Sequence, residues 1–224
     1  MDAPSLVVLD VNETLSDLAP LRQRFVDLGL GAQLSGTWFA SVLRDGFALT
    51  VLEQSQGFAD LGRDVLRDLA PELDDADVDS VIATFTGLDL HPDVAPGLRL
   101  LADAGTEVVT LSNGSAGIAE GLLERAGVRD LVAAVLSVDD AGVWKPHPRA
   151  YAYALDVRGA DAASAAMAAV HPWDLHGAAA AGMRTAWIRR GERFWPRAFT
   201  APDIVGGGLD EVAGAMLGTP GPDA

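Results

Sequence analysis

Short apolar runs alternate with stretches of helical spacing along most of the chain. Residues 5–9 (SLVVL), 107–111 (EVVTL), 131–136 (LVAAVL), 165–170 (AAMAAV) and 185–188 (TAWI) are mostly apolar and bounded by polar residues. That pattern predicts strands buried on both faces. Helical spacing fills the intervals at 96–104, 116–126, 147–155 and 175–181. Gly105, Gly127 and Gly182 stand just past three of these stretches, where a helix is expected to stop. Strands alternating with helices predict an α/β fold with a parallel sheet covered on both faces.

The stretch from about residue 18 to residue 88 breaks the alternation. Leu18, Leu21, Phe25 and Leu28 are spaced three and four apart. Trp38, Val42, Phe47 and Val51 continue an apolar face. Two further faces follow, one around Val65 and Leu66 that ends at Pro71, and one from Val78 to Phe85. No strand pattern interrupts them. The reading is a helical domain at 17–88 inserted into an α/β domain formed by 1–16 and 89–224, with Leu90-His91-Pro92 marking the return to the sheet. The terminal GTPGPDA reads as a frayed tail.

Composition narrows the function. The 224 residues carry 16 basic and 32 acidic side chains, a formal charge of −16. Such a surface repels nucleic acid and anionic membranes, and a small anionic substrate needs a local positive site. There is no cysteine, which removes disulfides, thiolate nucleophiles and cysteine-ligated metals. Four His without Cys argue against a zinc site. No apolar run approaches the roughly 18–20 residues of a membrane span. The N-terminus lacks a basic segment followed by a long apolar one, so the expected compartment is the cytoplasm. Fifteen of the basic residues are Arg and one is Lys, Lys145; the two Asn are Asn12 and Asn113. The scarcity of Lys and Asn draws attention to the positions that keep them.

In an open parallel sheet, ligands bind beyond the carboxyl ends of the strands. Four polar groups are expected there. Asp10 follows the first strand, where a partly desolvated carboxylate serves either as a nucleophile or as the cap of the next turn. Thr14, four residues on, hydrogen-bonds that carboxylate or caps a helix. Ser112 and Asn113 follow the second strand and open a helix, a place for an anion or for an ordinary N-cap. Lys145 is either a solvated surface charge or a buried ammonium that keeps Asp10 ionised. Asp174 is an N-cap or a second carboxylate that orients and deprotonates water.

The segments DVNETL (10–15), LSNG (111–114), Lys145-Pro146 and Trp173-Asp174 together resemble, in order and spacing, the four motifs of the haloacid dehalogenase superfamily. The resemblance spans nearly the whole chain and is strongest to the L-2-haloacid dehalogenase branch, to which Tyr151 after Lys145-Pro146 and the LSVD at 136–139 also conform. It implies a Rossmann-like core with an α-helical cap. It further implies a metal-independent hydrolase, without cofactor, that displaces halide from a small 2-haloacid through an ester on Asp10. Lys145 would hold Asp10. Asp174 would assist water. Ser112, Thr14 and the loop N–H groups of Val11 and Asn12 would hold the substrate carboxylate. Asn113 would meet the halide, and Tyr151 would support Lys145. A homodimer through apolar cap residues is also expected.

Two positions separate the chain from the superfamily's phosphatases. Asn12 stands where those enzymes carry a general-acid Asp, and Val170 where they carry an Asp for magnesium. A halide leaves without a proton, so an amide at position 12 suits it. Three positions depart from the dehalogenase branch. Phe39, one residue after Trp38, stands where that branch has an Arg, and Ala169 and His171 stand where it has Ser and Asn. Arg44 further along the same helix is a candidate replacement cation, and His171, with His176 nearby, a candidate replacement polar group. A magnesium-dependent phosphatase and a ligand-binding protein without turnover are the competing readings.

Overall fold

A computed structural model describes residues 3–218. Met1, Asp2 and residues 219–224 lie outside the described residues, and with them most of the GTPGPDA tail.

Six parallel strands form one sheet: β1 (Leu6–Leu9), β2 (Glu107–Ser112), β3 (Ala134–Ser137), β4 (Ala165–Ala169), β5 (Arg184–Ile188) and β6 (Ile204–Gly206). Their spatial order is β3-β2-β1-β4-β5-β6. The first strand is central, with Leu9 opposite Thr110 of β2 on one side and Ala168 of β4 on the other. Successive side chains of β1 enter different apolar layers, because side chains alternate across a strand. Leu6 and Val8 pack in the layer that contains Tyr151, Leu175 and Trp38. Val7 and Leu9 pack in the layer that contains Leu98, Leu123 and Val212. A strand covered on both faces has no polar face, hence the unbroken SLVVL run.

Between β1 and β2 lie α1 (Ala19–Asp27), α2 (Ala32–Val51), α3 (Phe58–Leu69), α4 (Asp75–Thr86) and α5 (Val94–Asp103). The first four form the helical insert. Its two connections run side by side: Asp17 N–H donates to Asp89 O at 2.9 Å and His91 N–H to Leu15 O at 2.8 Å. Trp38 is the insert's centre, fully buried, with its indole N–H donated to Gly62 O at 2.8 Å and with Phe25, Phe58 and Phe85 around it. The remaining helices are α6 (Ala116–Arg125), α7 (Val138–Ala141), α8 (Pro148–Arg158), α9 (Pro172–Ala180) and α10 (Leu209–Met216).

Three features differ from the sequence expectation. The third strand begins at Ala134, because Arg129–Leu131 form a 3-10 turn that aims the chain into the sheet. The sixth strand was not expected: three residues, partly exposed and followed by glycines, give no periodic signal. Helix α10 was not expected either, although Leu209, Val212, Ala213 and Met216 carry the i, i+3, i+4, i+7 spacing of a buried face.

Candidate active site

Parallel strands place their carboxyl ends together, and the strand order reverses direction at β1. Asp10 leaves β1 at that point, with its N–H donated to Ala168 O of β4. It is 3% exposed. The Lys145 ammonium, wholly buried, lies 2.9 Å from Asp10 Oδ1 and 2.6 Å from Asp174 Oδ2. One cation thus bridges two carboxylates that come from opposite halves of the chain. Thr14 Oγ1 donates to Asp10 Oδ2 at 2.5 Å and accepts the N–H of Val170 at 3.1 Å. The loop after β1 is therefore locked to the end of β4. Arg190 closes it from outside, donating to Thr14 O at 2.7 Å while paired with Asp93.

Asp174 sits in the first turn of α9, where Pro172 occupies a position that needs no N–H. Its Oδ1 accepts from the Tyr151 hydroxyl at 2.7 Å. That approach depends on Gly177. A Cβ there would stand 2.5 Å from the Tyr151 hydroxyl oxygen and 2.8 Å from Pro146 Cβ.

The two carboxyls are displaced in opposite directions. Burial alone pushes Asp10 up, but Lys145, His171 and the Thr14 hydroxyl together outweigh it, and Asp10 lies below the ordinary carboxylate range. Burial pushes Asp174 up, Asp10 adds to this, and Lys145 and Tyr151 recover only part of it, so Asp174 lies above that range. For Lys145, burial favours the neutral amine; Asp10 and Asp174 reverse this and hold it above the usual lysine value. Burial beside Asp174 drives the Tyr151 phenol well up, so it stays a donor. The resulting centre has an ionised Asp10 and, across the same ammonium, a second carboxyl that is harder to ionise.

The other sequence candidates gather around this triad in different ways. Among the described residues the N–H groups of Val11 and Asn12 donate to no protein acceptor, so both remain free for a ligand. Ser112 Oγ accepts the Gly114 N–H at 2.9 Å. Asn113 is turned to the main chain of Lys145: its Oδ1 accepts the Lys145 N–H at 2.9 Å and its Nδ2 donates to Lys145 O at 3.2 Å. These two bonds brace the lysine with the amide oxygen and one of the two Nδ2 hydrogens. His171 is sandwiched between Phe39 and Trp173, with ring centroids 6.1 and 5.0 Å away and both pairs nearly parallel. Its Nε2 lies 3.2 Å from Asn12 O and 3.7 Å from Asp10 Oδ2.

Two expectations are corrected. Arg44 is exposed and paired with the adjacent Asp45 at 2.7 Å, so it supplies no cation in place of the missing guanidinium. His176 faces Thr200 and Phe199, away from the triad. Among the described residues no group of three or more His, Asp or Glu side chains is arranged to hold a metal ion. Sequence reasoning passed over Thr50, whose hydroxyl accepts the Trp144 N–H at 2.9 Å, and over Glu13. Glu13 has a positive φ of 61° and its Oε2 lies 3.7 Å from His171. A lone Thr in a helix and a Glu inside a turn carry no signal of either role.

The comparison with known families fits this geometry. A family model of haloacid dehalogenase-like hydrolases matches residues 4–182. The chain belongs to that family. It is similar to an (S)-2-haloacid dehalogenase of Pseudomonas sp. (strain YL), with 27% identity over 209 residues, 91% of this chain and 90% of the relative. An (S)-2-haloacid dehalogenase 4A of Burkholderia cepacia is 29% identical over 196 residues, 85% of each chain. A crystal structure of a dehalogenase with an intermediate complex superposes with a TM-score of 0.90 at 26% identity, covering 98% of this chain and 100% of that one. These matches extend through the helical insert as well as the sheet.

Proposed function

We propose that this chain hydrolyses the carbon–halogen bond of a 2-haloacid through an ester on Asp10. The observation that carries the reading is the buried ammonium of Lys145 shared between Asp10 and Asp174. It fills the space between the carboxylates and keeps Asp10 ionised. A carboxylate oxygen of Asp10 attacks the carbon that bears the halogen, and the halide departs with the bonding pair and with inversion. It needs no proton, which agrees with an amide at Asn12. The substrate carboxylate is held by the free N–H groups of Val11 and Asn12, with Ser112 beside them. Residues 17–88 act as a cap that covers this centre.

Ester formation removes the charge of Asp10. Asp174 then loses a like-charged neighbour and has the whole of Lys145, so it becomes easier to ionise. Water adds to the ester carbonyl carbon while Asp174 takes its proton; the bond between that carbon and the alkyl oxygen then breaks, Asp174 returns the proton to the departing oxygen, and the new Asp10 carboxyl loses its own to solvent. A 2-hydroxyacid leaves, and one water oxygen remains in the Asp10 carboxylate. Tyr151 holds Asp174 in place throughout. A cytoplasmic setting and a homodimer belong to the same reading.

The test is halide release from chloroacetate, bromoacetate and 2-chloropropanoate without added magnesium, with single turnover in heavy-oxygen water. Halide release abolished by Asp10→Asn, with one heavy oxygen incorporated into Asp10, is the expected result. Magnesium-dependent phosphate release from phosphorylated metabolites with no halide and no label would replace the proposal with a phosphatase.

A further inference from the structure

Outside the triad lies an open cavity of about 610 Å³ whose inner wall includes Phe39 and His171. That volume falls in the range of about 300–1,000 Å³ that takes ligands of drug size, well beyond a two- or three-carbon acid. Its mouth carries two exposed guanidinium groups, Arg22 on α1 and Arg193 in the segment after β5. Arg22 forms no ion pair among the described residues, and Arg193 reaches only Glu13, loosely, at 3.9 Å. A smaller chamber of about 190 Å³ shares Glu13, Leu18, Arg22 and Arg193 and adds Asp17, His91, Val170 and an Arg190 that is paired with Asp93. Glu13 repels an anion here. In the larger cavity two guanidinium groups face this one carboxylate, which leaves its mouth positive on a chain of charge −16; Asp17 lines only the smaller chamber.

The position of this charge decides what it can bind. From Asp10 outward, the contacts run 3.7 Å to His171, 3.7 Å from His171 to Glu13 and 3.9 Å from Glu13 to Arg193. Arg22 and Arg193 line this cavity, whereas Asp10, Val11 and Asn12 do not, so an anionic group at these cations is distinct from one held by the Val11 and Asn12 N–H groups. With the carboxylate next to the attacked carbon held by those N–H groups, the outer cations are left for a second anionic group. Leu18, Phe39, Ala40 and Leu43 give the cavity an apolar part that suits methylene groups, beside the polar Gln33 and Ser35. We infer that Arg22 and Arg193 form an outer subsite for a second carboxylate, and that the preferred substrate is a 2-halodicarboxylate with several methylene groups between its acids. This rests on the dehalogenase reading of Asp10. Phe39, in place of a guanidinium, extends the apolar wall toward the outer cations.

The experiment compares bromide release from 2-bromohexanedioate and 2-bromopropanoate at low salt in the wild type, Arg22→Gln and Arg193→Gln. The wild type prefers the diacid in kcat/KM, and each variant lowers that preference about tenfold, chiefly through KM, the worth of one charge-assisted hydrogen bond. A second readout needs no turnover: hexanedioate raises the melting temperature of the wild type and not of the double variant. A preference that neither substitution changes, or no thermal shift with hexanedioate, overturns the subsite even if 2-bromopropanoate is turned over. A thermal shift that depends on both arginines, with no bromide from either acid, keeps the subsite and removes the dehalogenase reading instead.

Discussion

Replacing Lys145 by Met removes the charge and keeps most of the side-chain volume, so it isolates what the ammonium does. In the wild type the ammonium is fully buried and bonded to two carboxylates at 2.9 and 2.6 Å. Removing one partner of a buried ion pair costs about 3–5 kcal/mol, because the charge left behind has no compensation. The variant can instead protonate a carboxyl. At neutral pH that costs about 4 kcal/mol, three pH units at about 1.4 each. Both routes give a deficit near 4 kcal/mol at pH 7. They also fix its pH dependence. In the wild type Asp10 is held below its unfolded value, so its contribution is present above that value and lost as pH falls through the lower folded one. In the variant the attraction of Lys145 is gone and burial is opposed only by His171 and the Thr14 hydroxyl, so the folded value moves up and stability is lost as pH rises through it. Lys145 itself is held above the usual lysine range, and its contribution persists until pH rises through that higher value. The gap between the two proteins should therefore widen by up to about 1.4 kcal/mol per pH unit between about pH 5 and pH 7. Urea unfolding at a series of pH values measures it, and halide release should be lost. A deficit below about 1 kcal/mol at pH 7, a deficit that does not change with pH, or activity within about tenfold of wild type would refute the assignment of a charge-bridging role.

Tyr151→Phe removes the donor to Asp174 Oδ1 at 2.7 Å. A hydrogen bond to a charged group is worth about 1.5–3 kcal/mol, so ester hydrolysis should slow about 10–100-fold. Rapid-quench mass spectrometry should then find the Asp10 ester accumulating; equal slowing of both steps would contradict the division of labour. Asp10→Asn imitates the uncharged ester. The like charge that helps to hold Asp174 up is gone, so Asp174 should titrate at lower pH than in the wild type, as read by carbon-13 NMR of labelled aspartate. An unchanged or higher value would sink the proposed hand-over of the lysine from one carboxylate to the other.

Much of this arrangement is legible from local pattern. Runs such as SLVVL can only be buried strands, and polar residues directly after them must collect at one edge of a parallel sheet. That rule finds Asp10 and Ser112 before any side chain is placed; Lys145 lies beyond α7 and is marked instead by being the only lysine, and Asp174 stands in the first turn of α9. What pattern does not carry is orientation. Asn113 and Arg44 are both polar groups near the right elements. Asn113 spends its amide on the Lys145 backbone, and Arg44 points outward to Asp45. Whether a side chain faces a ligand or a neighbour depends on rotamers and on contacts made across the chain. The same limit hides Arg22 and Arg193, which are 171 positions apart and meet only because α1 and the segment after β5 border one cavity.

The helical insert does more in this fold than cover the sheet. Its second helix passes close to Trp144, the residue before the lysine. A side chain at Gly46 would occupy the space of the Trp144 ring. Thr50, one turn on, accepts the Trp144 N–H, and Phe58 of α3 stacks on the indole with ring centroids 5.9 Å apart. The Lys145 main chain is thus fixed from two sides, by Asn113 from the sheet and by the Trp144 contacts from the insert. An ammonium that must bridge two carboxylates within a few tenths of an ångström needs such support, because a charge on a flexible four-carbon stem does not locate itself. Changes in the packing of α2 and α3 should therefore reach the chemistry through Lys145, although neither helix supplies a residue to the triad. Phe39 on the same α2 stacks on His171, so this helix borders both the lysine and the wall of the outer cavity. One helix thus both lines the cavity and packs against the residue that precedes Lys145.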